Sequence, residues 1–476
     1  MKKLLLFIFL TCNSAIFGQN CKCDSLFTES QKIVEDNYAG WFDKVTSSNQ
    51  LAYDDWTTQK YLQTQKITED SLCSNHIKEW LSFFKDKHLR IRYNKPKSNS
   101  NDQLESKEIK ILSTNFSESQ IIDYLSTTKK LDPIEGIYES SSYKLGITQV
   151  EPNVFYATII TTQNENWKVG EVKLVIKKNG ENYEGTFYEG DKSDLSLHKV
   201  QLVDNLLDFD ILFFEKILPA PSAKIDVTEY EMSKDRYAPS LSFRDSIAIW
   251  KFPSFENNSY EQTAYLLEKY KDTLKNIAYW VLDLTNNSGG DYSIGLQLLD
   301  YIYTDPLVFY NSEMRLTKSN YEIWYNSYIS NYYENLDSIG KSKLDVRLNK
   351  MKANFGKMYN DGDKLTDTLK MEVIKPYPKK IALLINENTV SSGELFTMIA
   401  RQSAKVKVMG ANSGGMMDYG NIVNYKTICS TMRLQIPTDR QLWLETGFSV
   451  DKDGLMPDFY LTGENWADQA IKIIKQ

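Results

Sequence analysis

Apolar positions change their spacing three times along the chain, and each change predicts a different architecture. From residue 24 to about 92, "SLFTESQKIVEDNYAGWFDKV" and "HIKEWLSFFKD" place apolar side chains three and four apart, which predicts helices. The polar run "NKPKSNSNDQLESKE" then reads as a linker. From about 133 to 215 the period drops to two, in "GIYESSSYKLGITQVE", "VFYATIITTQ" and "GEVKLVIKKNGENYEGTFYEG". That pattern predicts an antiparallel meander closing into a small barrel or sandwich, with an Asn-Gly hairpin turn in "KNGENYEG". From about 240 onward, strand-like runs ("SIAIWKF", "IAYWVLDL", "KKIALLI", "VKVMG") alternate with helix-like ones ("SYEQTAYLLEKYKDTL", "YSIGLQLLDYIY", "GELFTMIARQS"). This order predicts an α/β core with a mostly parallel sheet. A Tyr-, Asn- and Lys-rich stretch from about 312 to 370 reads as a helical insertion. The expected organisation is therefore 20–95 helical, 96–132 linker, 133–218 β-rich insert and 240–476 core.

The first residues, "MKKLLLFIFLTCNSAIFGQNCKC", follow none of these patterns. Two lysines, an apolar stretch and small residues form a secretory signal peptide over 1–19, with cleavage expected near Gln19. The apolar run is too short for a membrane span, and "FLTC" is a poor lipidation box. Export to the periplasm or the extracellular space is expected. There an oxidising environment permits disulfides. Cys73 is expected to pair with Cys21 or Cys23, and Cys429 to be a buried thiol.

The 476-residue chain carries a net charge of −7 and no Lys/Arg-rich run, which argues against a nucleic-acid surface. No cofactor motif and no paired His/Cys metal motif stands out, so neither a cofactor nor a metal is expected. There are 3 histidines, His76, His88 and His198, so a mechanism that needs an imidazole has few candidates.

Two strand-to-helix turns hold the candidate chemistry. In "YWVLDLTNNSGGDYSIGLQLL" a strand ends at Asp283, and the turn ends in Gly289 and Gly290. Paired glycines can leave backbone N–H groups free to face a developing oxyanion, or can simply supply the positive φ of a turn. In "INENTVSSGELF", Ser391 or Ser392 sits where a hydroxyl is accessible and the following N–H groups point at it. Either serine could equally cap the helix, with Glu394 as a first-turn acid. His88 lies at a helix-to-strand junction, whereas His76 sits within a helix and His198 within the β-rich insert. Asp451 and Asp453 precede a glycine turn in "VDKDGLMPD".

Taken together, these stretches resemble the tail-specific and tricorn-core serine peptidases. The resemblance rests on "DLTNNSGG", "NENTVSSGE", "GANSGG" at Gly410 to Gly415, "GLMPD" at Gly454 to Asp458, "DKH" at Asp86 to His88 and "IAIWKFPSF". It spans roughly 240 to 476 plus the piece around His88, and it implies a ClpP/crotonase-like α/β core. By resemblance, Ser391 is the nucleophile, and the N–H groups of Ser392 and of one of Gly289 and Gly290 form the oxyanion hole. The lysine that serves as base in the processing-peptidase branch is replaced by Met416. The tricorn-like branch uses a histidine, which implies His88 as base with Asp451, where that branch has Glu, as the carboxylate behind it. Thr285 stands where the family has Arg, Leu89 where it has Thr, and the PDZ domain common in the family is replaced by the β-rich insert.

The reading that results is a secreted serine endopeptidase acting on protein or peptide substrates, with no membrane span, and with its oligomeric state left open. The departures from the family pattern keep a second reading in play, a catalytically degenerate binding protein on the same scaffold. Acyl-CoA chemistry on a crotonase-like core is a third, disfavoured by the signal peptide.

Overall fold

A computed structural model describes residues 22–95, 110–192, 195–209, 212–221, 224–256 and 258–476. The signal-peptide segment lies outside these residues. The chain divides into two compact units, one combining the N-terminal part up to Lys97 with Tyr237–Gln476, the other Ser98–Arg236.

The centre of the first unit is a six-stranded sheet. Its strands Ser240–Arg244, Ile247–Lys251, Tyr279–Asp283, Lys380–Ile385, Val406–Gly410 and Phe459–Tyr460 follow one another in chain order. The first two form an antiparallel hairpin, and every later pair is parallel. Strand side chains alternate between faces. Val281, Ala382, Leu384 and Met409 therefore bury one face against Ala470, Ile471 and Ile474 of the last helix, Trp466–Lys475. Trp280 points to the other face and packs on Tyr301 with ring centroids 4.8 Å apart. Among the described residues, no helix is long and apolar enough to cross a membrane.

A second, antiparallel sheet sits in the same unit. Strand Met432–Gln441 pairs with Arg90–Tyr93, Ser312–Leu316 and Tyr419–Lys426, and Ser312–Leu316 pairs in turn with Lys357–Tyr359. Helices Cys23–Asn37, Gln50–Thr64 and Asp70–Leu81 contribute Leu26, Phe27, Tyr53, Ile77 and Trp80 to one core with Val423, Leu434 and Ile436 of this sheet. The stretch read as a helical insertion is thus only partly helical. It holds helix Ser338–Lys352, but also the strands Ser312–Leu316 and Lys357–Tyr359, which complete the antiparallel sheet. Its short strands are masked in sequence by the polar residues around them.

Cys23 is bonded to Cys73. Cys429, expected to be a buried thiol, is instead disulfide-bonded.

The second unit is a closed antiparallel barrel of eight strands running from Gly136–Glu139 to Phe213–Leu218. Its interior is filled by Leu145, Ile147, Ala157, Ile159, Leu174 and Ile176, the inward set of the period-two pattern. The expected hairpin forms with Asn179 paired to Asn182, which places Gly180, at φ +62°, first in the two-residue turn. Part of the supposed linker is ordered: helix Glu118–Thr127 has a Ser117/Gln120 capping box and buries Ile121 against Ile137 and Ile160.

Candidate active site

The two strand-to-helix turns leave the sheet side by side, because Tyr279–Asp283 and Lys380–Ile385 are parallel neighbours. Ligand sites form where such carboxyl ends open into a crevice. Several hydrogen bonds lace the turns together. Val390 N–H donates to Asn287 O at 3.0 Å, Thr389 Oγ1 to Leu284 O at 2.7 Å and Asn286 N–H to Asn386 Oδ1 at 2.9 Å. Ser392 Oγ donates to Gly290 O.

Ser391 is the sharp corner of the second turn. Its φ of +55° and ψ of −123° lie in a region that L-residues rarely occupy, and it directly precedes helix Ser392–Ala400. Such strain persists only where the surroundings over-determine it. Here the surroundings centre on Glu394, which is completely buried. Its Oε2 accepts from Ser391 N–H and Met416 N–H, both at 2.9 Å. Its Oε1 accepts from Ser413 Oγ at 2.6 Å and Gly415 N–H at 2.8 Å. One carboxylate thus fastens the serine turn to the 413–416 loop. Burial pushes its pKa up, and these four bonds oppose the shift. The sequence suggested only a first-turn helix acid.

The two glycines have different tasks. Gly289 N–H donates to Asn287 Oδ1 at 2.9 Å, so it is not free for an oxyanion. A Cβ on Gly289 would stand 2.7 Å from Ser391 Cβ, so the missing side chain makes room for the serine. Gly290 lines the cleft, and its N–H has no protein acceptor among the described residues. Ser392 N–H, at the first position of its helix, has no intrahelical partner either.

His88 is brought to the same cleft by the antiparallel sheet. It is 2% exposed and precedes strand Arg90–Tyr93, whose partner strand Met432–Gln441 also pairs with Tyr419–Lys426. His88 Nδ1 lies 2.7 Å from Tyr419 O. A carbonyl only accepts, so Nδ1 carries the proton and Nε2 keeps its lone pair. Asp86 Oδ1 accepts from His88 N–H at 2.8 Å, and Asp86 Oδ2 accepts from Tyr38 Oη at 2.7 Å. Burial holds the imidazole below its usual pKa, against the nearby Asp86 charge and with help from Arg90.

Asp451 does not hold His88 by a hydrogen bond. Its Oδ1 accepts from Met417 N–H at 2.6 Å and Asp418 N–H at 2.9 Å. Burial and the charge of Asp418 push its pKa up to about 7. The acid whose charge acts on the His88 ring is Asp86, two residues upstream, which a search for a distant carboxylate passes over. Asp418 in turn accepts from Trp443 Nε1 at 2.9 Å and Val450 N–H at 2.8 Å. Asp453 is exposed, at the end of the short helix Val450–Asp453. His76 Nε2 is engaged by Lys60 O at 2.8 Å, and His198 belongs to the barrel.

A cleft of about 1090 Å³ is lined by His88, Ser391, Ser392 and Gly290 together. Leu395, Met398, Ile399, Phe309 and Trp443 make much of its wall apolar. Met416 lines it where the lysine of the processing-peptidase branch would stand, and no lysine is among its described lining residues. Lys87, beside His88, donates instead to Gly414 O. No group of His, Cys, Asp and Glu suited to a metal ion occurs among the described residues.

Residues 246–461 match the profile of peptidase family S41. Among solved structures, the chain is similar to a putative peptidase from Parabacteroides merdae, at 12% identity and TM-score 0.45, with 96% of this chain and 98% of that one covered. Mature CPAF is similar at 12% identity and TM-score 0.44, covering 95% and 97% of the two chains. A lipoprotein from Streptococcus agalactiae is similar at 11% identity and TM-score 0.40, covering 97% and 99%. No curated protein matches the sequence.

Proposed function

We propose, from the match of residues 246–461 to peptidase family S41, an exported serine endopeptidase that works through an acyl-enzyme on Ser391 with His88 as general base. The observation that carries the reading is the tautomer of His88. With Nδ1 donating to Tyr419 O, the lone pair on Nε2 is left to take the Ser391 proton. Ser391 Oγ then attacks the substrate carbonyl. The N–H groups of Gly290 and Ser392 receive the negative charge that develops on its oxygen. The imidazolium returns the proton to the leaving amine, and a water molecule activated by the same Nε2 releases the acyl group. Asp86, rather than Asp451, is the charge that favours the imidazolium.

Two features support the remaining parts of the proposal. The apolar wall of the cleft suits a peptide with hydrophobic side chains. The Cys23–Cys73 disulfide and the disulfide-bonded Cys429 fit an oxidising compartment, in keeping with the signal peptide read from the sequence.

Labelling with a fluorophosphonate tests the reading directly. The wild-type chain is expected to label and to hydrolyse a denatured protein such as casein, and Ser391→Ala to do neither while melting like the wild type. Labelling that persists in Ser391→Ala would remove Ser391 from its role. A wild-type chain that neither labels nor cleaves would favour a binding protein on this scaffold.

A further inference from the structure

Gln441 brings an unpaired amide to the wall of the cleft. It ends strand Met432–Gln441, lines the cleft and is only 9% exposed. Its backbone N–H donates to Asp418 O at 2.9 Å, while its side chain makes no hydrogen bond among the described residues. The polar side chains around it are engaged. Asn421 Nδ2 donates to Asp439 Oδ2 at 2.6 Å, Ser312 Oγ to the same oxygen at 3.2 Å, and Trp443 Nε1 to Asp418 Oδ1 at 2.9 Å. A buried amide normally finds partners, and leaving one unpaired is costly. A Cβ on Gly420 would stand 3.8 Å from Gln441 Nε2, so the amide lies against a cleft residue that has no side chain.

Gln402, the other glutamine lining the cleft, shows what such an amide takes. Its Oε1 accepts from Val308 N–H and its Nε2 donates to Val308 O, both at 2.9 Å. One side-chain amide thus pairs with both main-chain groups of a single strand residue. Gln441 offers the same acceptor and donor, with no such residue of its own chain before it. Its place in the sheet fixes the side of the cleft. It is bonded to Asp418 and faces Gly420, the two neighbours of Tyr419, and the Tyr419 carbonyl holds His88 Nδ1. The amide therefore stands on the histidine's side. In the chemistry proposed above, His88 gives its proton to the leaving amine, so this is the leaving-group side of the scissile bond.

We propose that Gln441 is a substrate-binding residue that takes the N–H and C=O of one substrate residue on the leaving-group side of the scissile bond, as Gln402 takes those of Val308. It reads the peptide main chain rather than a side chain. The inference rests on Ser391 and His88 being the acylating pair for its side of the bond; the contact itself is tested without turnover.

The test measures binding to Ser391→Ala by fluorescence anisotropy. The probes are a labelled octapeptide of Ala and Phe and a series in which each of its amides in turn is N-methylated, which removes one N–H donor. At one position methylation is expected to weaken binding about fivefold to tenfold through the lost bond to Gln441. Adding Gln441→Leu, which has no acceptor, is expected to bring that ratio towards one. Gln441→Glu, which keeps an acceptor oxygen, is expected to retain it. Comparing methylated and parent peptides on the same variant cancels any general effect of the substitution on the fold. The position is expected to lie after the bond that the wild-type chain cleaves in the parent peptide, mapped by mass spectrometry. Ratios that Gln441→Leu leaves unchanged at every position overturn the proposal. A Gln441-dependent position before the cleaved bond overturns it too, as does a series that does not bind. Fluorophosphonate labelling of the wild-type chain reports the acylation reading separately, so either idea can fail while the other stands.

Discussion

The ring nitrogen Nδ1 of His88 sits 2.7 Å from the carbonyl oxygen of Tyr419, a residue 331 positions later in the chain. The contact fixes the tautomer without using a carboxylate as the acceptor. A carbonyl stabilises an imidazolium less than a carboxylate does. Burial is what holds the imidazole below its usual pKa; the Asp86 charge and, more weakly, the Tyr419 carbonyl oppose that shift.

The pH dependence of kcat/KM follows from this environment. Activity needs neutral His88, so it falls as pH drops through the imidazole pKa. Burial lowers that pKa from the ordinary 6.5, and the acid limb is expected below that value. Asp86 opposes the shift, so Asp86→Asn should move the limb further down. Arg90 adds to it, so Arg90→Gln should move the limb up. Rate profiles of the three proteins on one peptide check the order. Coincident limbs would mean that another group governs the profile.

Gly289→Ala places a methyl group 2.7 Å from Ser391 Cβ, at a position with φ +84°. The serine must shift, because the other close atoms there are its own Oγ and the backbone oxygen of Val390, both at 3.2 Å. A displacement approaching 1 Å at a reacting atom costs on the order of 100-fold in rate. Acylation by a fluorophosphonate should slow by about that factor, while far-UV circular dichroism stays unchanged.

Glu394→Gln keeps the shape of the side chain and one of its two acceptor oxygens. The new amide nitrogen then faces either Ser391 and Met416 or Ser413 and Gly415, all donors in the native structure. Losing two charge-assisted bonds in a buried site costs about 3 kcal/mol. The midpoint of urea unfolding should fall accordingly. Where the amide nitrogen faces Ser391 and Met416, acylation should slow as well, because Ser391 N–H then loses the acceptor that helps hold its strained backbone.

Much of this site is visible in the sequence, and the reason is local. "DLTNNSGG" and "NENTVSSGE" each contain a complete strand-to-helix turn, so the Ser391–Ser392 and Gly289–Gly290 pairs stand out from neighbours within a few residues, while the resemblance, not the local pattern, assigns their roles. The period-two pattern of the insert likewise marks an antiparallel meander, while its closure into a barrel rather than a sandwich depends on the pairing of its first and last strands. The partners of His88 are another matter. Its contact with Tyr419 depends on the register that pairs Arg90 with Gln435 and Tyr419 with Arg440, and alternation alone does not set register. The glycine turn offers Asp451 and Asp453 alike and the resemblance chooses Asp451, but Asp451 spends its Oδ1 on the backbone of Met417 and Asp418. Glu394 looked like a helix acid because its Ser413, Gly415 and Met416 partners come from a loop some twenty residues on.

Asp451 has its own measurable consequence, for stability rather than catalysis. Burial beside Asp418 raises its pKa from 3.8 to about 7 in the folded protein. Its protonated form is the one the fold accommodates, since the unfolded chain loses that proton near the ordinary value. The stability it contributes is therefore complete below the unfolded pKa and is lost as pH rises through about 7. A shift of this size corresponds to at most about 4 kcal/mol. Asp451→Asn keeps Oδ1 as an acceptor for Met417 and Asp418 but cannot ionise. The unfolding free energy of the variant, relative to wild type, is expected to rise between pH 5 and pH 8 by about 2–4 kcal/mol. Urea titrations of both proteins at the two pH values give that difference directly. A difference that stays constant would show that Asp451 does not change its protonation in this range.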